Sequence, residues 1–178
     1  LAFAVYPSVW SYFGKAQFGW SPAMIGGSLA LFGAAMAVVQ GGLIRPVLHR
    51  FAERGTVLIG FACSITTFGL IATVTWGSAI LILTPLAALA GVIPPALQAL
   101  MSARVTPERQ GALQGLLTSA SALAMVVAPL VMTSVFAAFT SASTPVYFAG
   151  APFVLSMILS VVALVVFRRV RINPAHVD

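Results

Sequence analysis

The chain has 178 residues, of which 60% are hydrophobic and only 7% charged, and its mean hydropathy is +1.05. These values exclude an ordinary soluble domain and favour a protein of the lipid bilayer. The net charge of +6 does not indicate a nucleic-acid partner, because the arginines lie in short breaks between apolar stretches.

Six apolar stretches follow one another along the chain. They cover residues 1–14, 22–44, 56–75, 78–101, 110–138 and 144–167. Five of them reach the roughly 20 residues that a helix needs to cross the hydrocarbon core. The first is shorter, and we interpret it as a truncated helix rather than a signal peptide, because it lacks a basic region and a small-residue cleavage site. The sequence therefore predicts an all-α membrane protein with six transmembrane helices.

Prolines indicate where several of these helices begin, end or bend. Ser21-Pro22, Thr106-Pro107 and Thr144-Pro145 each place a hydroxyl N-cap before a proline at the first helical position. Arg45-Pro46 predicts the end of the second helix, since the residue before proline disfavours the α conformation. Pro94-Pro95 predicts a kink in the fourth helix, which is either static or a hinge beside a cavity.

All eight arginines follow the even-numbered stretches. They are Arg45, Arg50, Arg54, Arg104, Arg109, Arg168, Arg169 and Arg171. The breaks after the odd-numbered stretches contain only one basic residue, Lys15. By the positive-inside rule, the chain crosses the bilayer back and forth with both of its ends in the cytoplasm.

Small residues recur at helical spacing on two of the predicted helices. Gly33, Ala37 and Gly41 form a ridge on the second, and Gly111 and Gly115 begin another on the fifth. Such ridges allow close approach of helix backbones in lipid, so both helices are expected at an interface.

Groups that carry chemistry are absent from the apolar stretches. The two histidines and three acids, His49, His176, Glu53, Glu108 and Asp178, all lie outside them. The sequence therefore predicts no metal site, no cofactor and no enzymatic activity. It also provides no intramembrane acid for proton coupling in this part of the protein.

A few polar and aromatic side chains within the stretches are candidates for contact with a substrate. The Gln40 and Gln98 amides either bond to neighbouring helices or face a water-filled cavity. Trp10 and Phe13 are predicted to line a cavity for a flat ligand, apolar or cationic. Pro94 and Pro95 are expected to shape the cavity wall.

The segment from Gly91 to Gly115 resembles the tenth and eleventh helices of the tetracycline/proton antiporter family of the major facilitator superfamily. The blocks that carry the resemblance are Pro95-Ala96-Leu97-Gln98-Ala99 and Glu108-Arg109-Gln110-Gly111, followed by Leu113-Gln114-Gly115. The run from Phe13 to Gly33 is similar to the seventh and eighth helices of that family, and Gln40 matches one of its glutamines.

The resemblance implies that the chain is the C-terminal half of a transporter, helices seven to twelve, built from two inverted three-helix repeats. Its partners would be an N-terminal six-helix half, absent here, the lipid bilayer of a bacterial inner membrane, protons and a drug. The first and fourth helices would line the cavity, and the second and fifth would face the other half. The implied function is export of a hydrophobic drug such as tetracycline, either free or as a metal complex, in exchange for protons by alternating access.

Two positions depart from the family pattern. Met36 stands where many members have a histidine, and Ser64 where they have an aspartate. With these two positions, the predicted substrate-binding set is Trp10, Phe13, Met36, Gln40, Ser64, Pro94, Pro95 and Gln98. Both departures bear on tetracycline as the substrate and on proton stoichiometry, since a buried carboxylate is what balances a cation or takes up a proton.

The cytoplasmic loop after the fourth helix is a candidate gate. Arg104, Glu108 and Arg109 are expected to form charge-assisted contacts that hold one conformation closed. The alternative is a plain orientation signal with exposed charges. For the chain as a whole, two other functions stay open: a carrier that exports or imports another small molecule, and a truncated membrane protein that does not transport.

Overall fold

The computed structural model describes residues 2–141, 144 and 146–169 of the chain, and these residues contain helices and no β-strand. The helices are α1 (Val5–Phe18), α2 (Pro22–Val38), α3 (Ile44–Thr73), α4 (Gly77–Leu89), α5 (Ile93–Ser102), α6 (Gln110–Thr140) and α7 (Ala151–Arg169). A π-helical turn, Val39–Leu43, joins α2 to α3, and 3₁₀ turns cover Ala2–Ala4, Ala90–Val92 and Pro107–Arg109. The predicted all-α membrane fold is confirmed.

Four helical segments are long and apolar enough to cross a bilayer. They are Pro22–Thr73, Gly77–Ser102, Pro107–Thr140 and Ala151–Arg169. The first has 52 residues and contains the predicted span 22–44 and all but the last two residues of the predicted span 56–75. The predicted span 1–14 corresponds to the shorter α1, which extends to Phe18 and includes Lys15 in its last turn.

The 52-residue segment folds back on itself at Ala52. This residue has φ 52° and ψ 176°, a conformation that L-residues rarely adopt. The parts before and after it meet the same turn: a Cβ atom on Gly91 would lie 2.6 Å from the Sδ of Met36, and one on Gly60 2.5 Å from Ile93 Cγ1. Because residues on both sides of Ala52 reach residues 91–93, the two predicted spans lie side by side.

The helix boundaries confirm one proline prediction and correct two others. Ser21 caps α2 by accepting a hydrogen bond from the Met24 amide at 3.3 Å. Pro46 does not end the second helix, because the π-helical turn widens the backbone just before the proline and helical structure continues into α3. The sixth predicted helix corresponds to α7 and begins at Ala151 rather than near 144. The Thr144 hydroxyl donates instead to the Ala138 carbonyl near the end of α6. Pro145 and Arg171 lie outside the described residues.

The predicted kink in the fourth span is a 3₁₀ turn between two helices. Ala90–Val92 separates α4 from α5, and Pro94 and Pro95 lie in the first turn of α5. Proline is tolerated at that position because the first-turn amides have no intrahelical acceptor. This interruption brings the backbone of Gly91 close to α2.

The main apolar core surrounds α1. Val5, Tyr6, Val9, Trp10 and Phe13 are all buried there. They pack against α3, α4, α6 and α7 through Phe68, Ile71, Ala72, Ile80, Ala87, Met132, Ala149 and Phe153. One face of α1 is therefore packed into the helix bundle in spite of its short length, while Tyr12 on another face is 62% exposed.

The two ends of the bundle differ in charge. A second apolar cluster contains Phe61 together with Leu48, Leu100 and Phe167. Each of the last three lies within four residues of an arginine in the sequence. At the opposite end, the Tyr147 hydroxyl donates to the Ala16 carbonyl at 3.5 Å. The described arginines thus flank one end of the bundle.

The predicted small-residue ridges lie on faces that the described residues leave uncovered. A Cβ atom added to Gly33, Gly41, Gly111 or Gly115 would meet nothing within 4 Å. On α6, the Leu123 side chain is 66% exposed. Packing of these ridges at an interface stays a prediction.

Candidate functional site

Two adjoining cavities lie where α1, α2 and the start of α5 approach one another. The smaller, of about 280 Å³, is lined by Phe3, Tyr6, Pro7, Phe32, Met36, Gln40, Ala90, Gly91 and Pro94. The larger, of about 460 Å³, is lined by Gln40, Ile44, Pro94, Pro95 and Gln98. The two cavities adjoin, since Gln40 and Pro94 line both of them, and together we call them the amide cleft.

Irregular backbone on both sides creates the amide cleft. Gln40 belongs to the π-helical turn, a feature that is often found at functional sites. Opposite it lies the 3₁₀ turn with Gly91, where a Cβ atom would lie 2.6 Å from the Sδ of Met36. Glycine thus lets the 3₁₀ turn approach α2 closely without displacing the Met36 thioether.

The two amides that line the cleft differ in their hydrogen bonding. Gln98 Nε2 donates to Gln114 Oε1 at 3.1 Å, which links α5 to α6. Gln40 has no hydrogen-bond partner among the described residues and is exposed to the cleft. Its amide is therefore available both to donate to a ligand and to accept from it.

The cleft has one apolar and one polar end. Tyr6, Phe32 and Met36 form the wall of the smaller cavity, while the larger is lined by Gln40 and Gln98. None of the described residues that line it carries a formal charge. The described part of the chain also contains no cluster of histidine, cysteine or acidic residues that would hold a metal ion.

Trp10 and Phe13 lie in the core instead of in the cleft wall. Their exposed fractions are 4% and 1%. The Trp10 Nε1 donates to the Ser28 hydroxyl at 2.9 Å, and the ring of Phe13 packs on Phe153 at 4.8 Å. Trp10 supports the cleft from behind, since its ring is 5.3 Å from that of Tyr6. Substrate contact by Trp10 and Phe13 stays a prediction.

Ser64 also lies away from the cleft. It is buried between α3 and α7, where its hydroxyl is 3.1 Å from the Ser160 hydroxyl. Ser160 in turn donates to the Ser156 carbonyl, so the pair forms a small polar contact within an apolar interface. A substrate-binding role for Ser64 stays a prediction.

The Ser64–Ser160 contact leads to a stability prediction. In a double-mutant cycle with Ser64→Ala and Ser160→Ala, we expect a coupling free energy of about 0.6 to 1 kcal/mol, as is usual for hydrogen bonds between membrane helices. It is measured from the unfolding of the full-length protein in mixed micelles. Additive effects of the two substitutions would show that the hydroxyls do not interact.

The predicted gating residues lie in the turn between α5 and α6. Arg104, Glu108 and Arg109 are exposed and form no ion pair with a described residue. The Gln110 amide stabilises this turn by donating to the Ser102 and Val105 carbonyls at 2.8 and 3.0 Å. Hydrogen bonds from the Thr106 side chain and the Glu108 backbone lower the pKa of the Glu108 carboxyl, which favours its anionic form. A gating role for the three stays a prediction.

Five of the eight predicted binding residues thus lie together in the cleft: Met36, Gln40, Pro94, Pro95 and Gln98. The sequence analysis did not identify Tyr6, Phe32 or Gly91. Tyr6 precedes Trp10 by four residues and so shares its helix face, a spacing that identifies it as a neighbour.

The apolar helices and the uncharged cleft define a multi-pass membrane protein. The sequence profile of the Major Facilitator Superfamily matches residues 1–177, so the chain belongs to that superfamily. The chain is 37% identical over 162 residues to the class G tetracycline resistance protein of Vibrio anguillarum, a match that covers 91% of this chain and 40% of the relative. It is 36% identical to the class C protein of Escherichia coli, with the same two coverages of 91% and 40%.

A third relative is the class B tetracycline resistance protein of Escherichia coli. It is 34% identical over 129 residues, which make up 72% of this chain and 32% of the relative. The chain thus spans about two fifths of the length of the first two relatives. No solved structure matches it.

Proposed function

We propose that the chain is the C-terminal half of a secondary active transporter that exports a hydrophobic, tetracycline-like drug in exchange for protons. The amide cleft carries the proposal, because it combines an aromatic wall with the Gln40 amide, which has no hydrogen-bond partner among the described residues. Such a site suits an amphipathic molecule that has a flat apolar body and several oxygen or nitrogen substituents. No chemical step on the substrate is required, so the protein is proposed to be a carrier rather than an enzyme.

The uncovered faces support a second half as partner. α2 and α6 expose small residues to which nothing described is packed, and the matched relatives are more than twice as long as this chain. In transporters built from repeats, the substrate lies near mid-membrane between the halves, and rocking of one half against the other gives alternating access. The amide cleft would then be one wall of the complete site.

Proton coupling is proposed to depend on the half that is not present. The predicted spans contain no acid or histidine, and by the family resemblance Met36 and Ser64 stand in place of a histidine and an aspartate. Since Met36 lines the cleft, the loss of an imidazole there favours a second candidate, export of an amphipathic drug other than tetracycline.

The charged end of the bundle is proposed to face the cytoplasm of a bacterial cell. The arginines at that end fit the positive-inside rule, which would place the protein in the inner membrane with both ends of this segment in the cytoplasm. There, Arg104, Glu108 and Arg109 are proposed to contact the other half in one state of the cycle and to separate in the other.

Drug accumulation in cells tests the proposed function. Cells that produce the full-length protein are expected to accumulate less tetracycline than control cells, and an uncoupler of the proton gradient should abolish the difference. The control is a full-length variant in which the α5–α6 turn is scrambled, with its membrane level checked by immunoblot. Equal accumulation by cells that contain the intact protein would exclude tetracycline and favour the second candidate.

A further inference from the structure

Three buried hydroxyls in the described residues lack a hydrogen-bond partner. They belong to Tyr6, Ser8 and Thr67. Buried polar groups nearly always have a partner, so each exception requires an explanation. A serine or threonine hydroxyl in a helix can rotate to the carbonyl of the preceding turn. The Tyr6 hydroxyl stands at the end of a rigid ring and cannot reach its own helix, so its partner must come from elsewhere.

Tyr6 differs from the other two in its location. Its side chain is part of the wall of the smaller cavity of the amide cleft, together with Phe32, Met36 and Gln40. Ser8 and Thr67 do not line the cleft. Of the three residues with an unpartnered hydroxyl, Tyr6 is thus the one that lines the proposed substrate site, although the hydroxyl itself is buried.

The surrounding rings fix the orientation of Tyr6. Its ring stacks on that of Phe32, with centroids 4.7 Å apart and an interplanar angle of 23°. The rings of Trp10 and Phe68 are 5.3 and 5.9 Å away. A side chain held in this way loses little conformational freedom when it binds a ligand, so its donor is preorganised.

The neighbouring Trp10 shows that this region otherwise satisfies its polar groups. The indole of Trp10 donates to Ser28, and the Ser28 hydroxyl donates to the Ile25 carbonyl at 2.7 Å. At the interface of α1 with α2, the buried Trp10 indole thus has an acceptor. The Tyr6 hydroxyl, four residues earlier on the same helix, has none.

We propose that Tyr6 is a specificity-determining residue, whose hydroxyl donates a hydrogen bond to an oxygen acceptor of the transported drug. This inference rests on the proposed transport function and adds the chemistry by which the drug is recognised. The ligand class is a flat, mainly apolar ring compound with a carbonyl or similar oxygen at its edge. The apolar part lies against Phe32, and the flexible Met36 side chain moves to admit the oxygen.

Tyr6→Phe in the full-length carrier tests the proposal. Phenylalanine keeps the ring and its packing and removes only the donor. Tetracycline uptake into inside-out membrane vesicles gives KM and the maximal rate. We expect KM to rise about tenfold with little change in the maximal rate, as for a lost hydrogen bond in a buried site. The matched control is Thr67→Val, which removes another unpartnered buried hydroxyl away from the cleft and should leave KM unchanged.

The other outcomes separate this inference from the proposed function. Suppose that the unaltered carrier transports tetracycline and that Tyr6→Phe leaves its KM unchanged. This result overturns the proposed role of Tyr6 and leaves the transport function standing. The same holds if the substitution lowers only the amount or stability of the protein, since the acceptor then belongs to the protein itself. If the unaltered carrier moves no tetracycline, the proposed function fails, and the Tyr6 assignment fails with it.

Discussion

Replacing Gln40 with leucine is expected to raise the KM for drug export by about fivefold or more in the full-length carrier. Gln40 is common to both cavities of the amide cleft and has no hydrogen-bond partner among the described residues. Its removal therefore breaks no described hydrogen bond, whereas a bound ligand loses a donor and an acceptor, a change worth about 1 to 3 kcal/mol. The measurement is drug uptake into inside-out vesicles over a range of concentrations.

The control for this prediction is Gln17→Leu, the same substitution near the C-terminal end of α1 and outside the cleft. It tests whether exchange of an amide for an apolar side chain has a general effect on insertion or on protein level. If Gln40→Leu and Gln17→Leu both leave KM unchanged, the amide cleft does not bind the drug.

Gly150→Ala is expected to destabilise the protein by about 3 kcal/mol. Gly150 lies in the turn before α7, and a Cβ atom there would overlap the backbone carbonyl of Ala72 at the end of α3. The amides of Phe153 and Val154 both donate to the Gly150 carbonyl, so movement of this residue also disturbs the start of α7. Overpacking against backbone, which cannot change rotamer, gives costs at the upper end of the usual range. Unfolding of the full-length protein in mixed micelles measures the loss.

A matched substitution at the same pair of helices distinguishes backbone from side-chain crowding. A Cβ atom on Gly69 in α3 would lie 3.1 Å from the Sδ of Met157 in α7. Because the thioether is flexible and alanine is the better helix former, we expect Gly69→Ala to change stability by less than about 1 kcal/mol. Similar losses for the two variants would show that the contact at Gly150 is not specific.

The arrangement of apolar stretches made the membrane fold predictable. Each span requires about 20 apolar residues regardless of its neighbours, because the bilayer rather than the protein sets its length. For the same reason, the fourth predicted span, which corresponds to α4 and α5, ends within two residues of its predicted limit. The fifth, which corresponds to α6, does so too. The Gly91–Gly115 blocks identified the superfamily, which the sequence profile confirmed.

Predictions of helix ends from single residues failed where a tertiary contact or the neighbouring backbone offsets the preference of that residue. Pro46 is a strong helix breaker in isolation, yet the preceding π-helical turn lets the chain continue in a helix. Thr144 is a good N-cap residue, but its hydroxyl bonds to the preceding helix, and α7 begins seven residues later. In both cases the sequence shows the preference of a residue and not the partner that is available to it.

The class of protein, its apolar spans and the polar side chains that are candidates for a ligand were all predictable, because these properties depend on residue type and on spacing along one helix. Which of the candidates meet depends instead on the tertiary structure. Packed interfaces bury the side chains of Trp10, Phe13 and Ser64. The amide cleft instead contains Gln40, beside Tyr6 in the smaller cavity, and Gln98, beside Pro94 in the larger one. That separation depends on how helices distant in sequence rotate and pack against each other, which no single helix encodes.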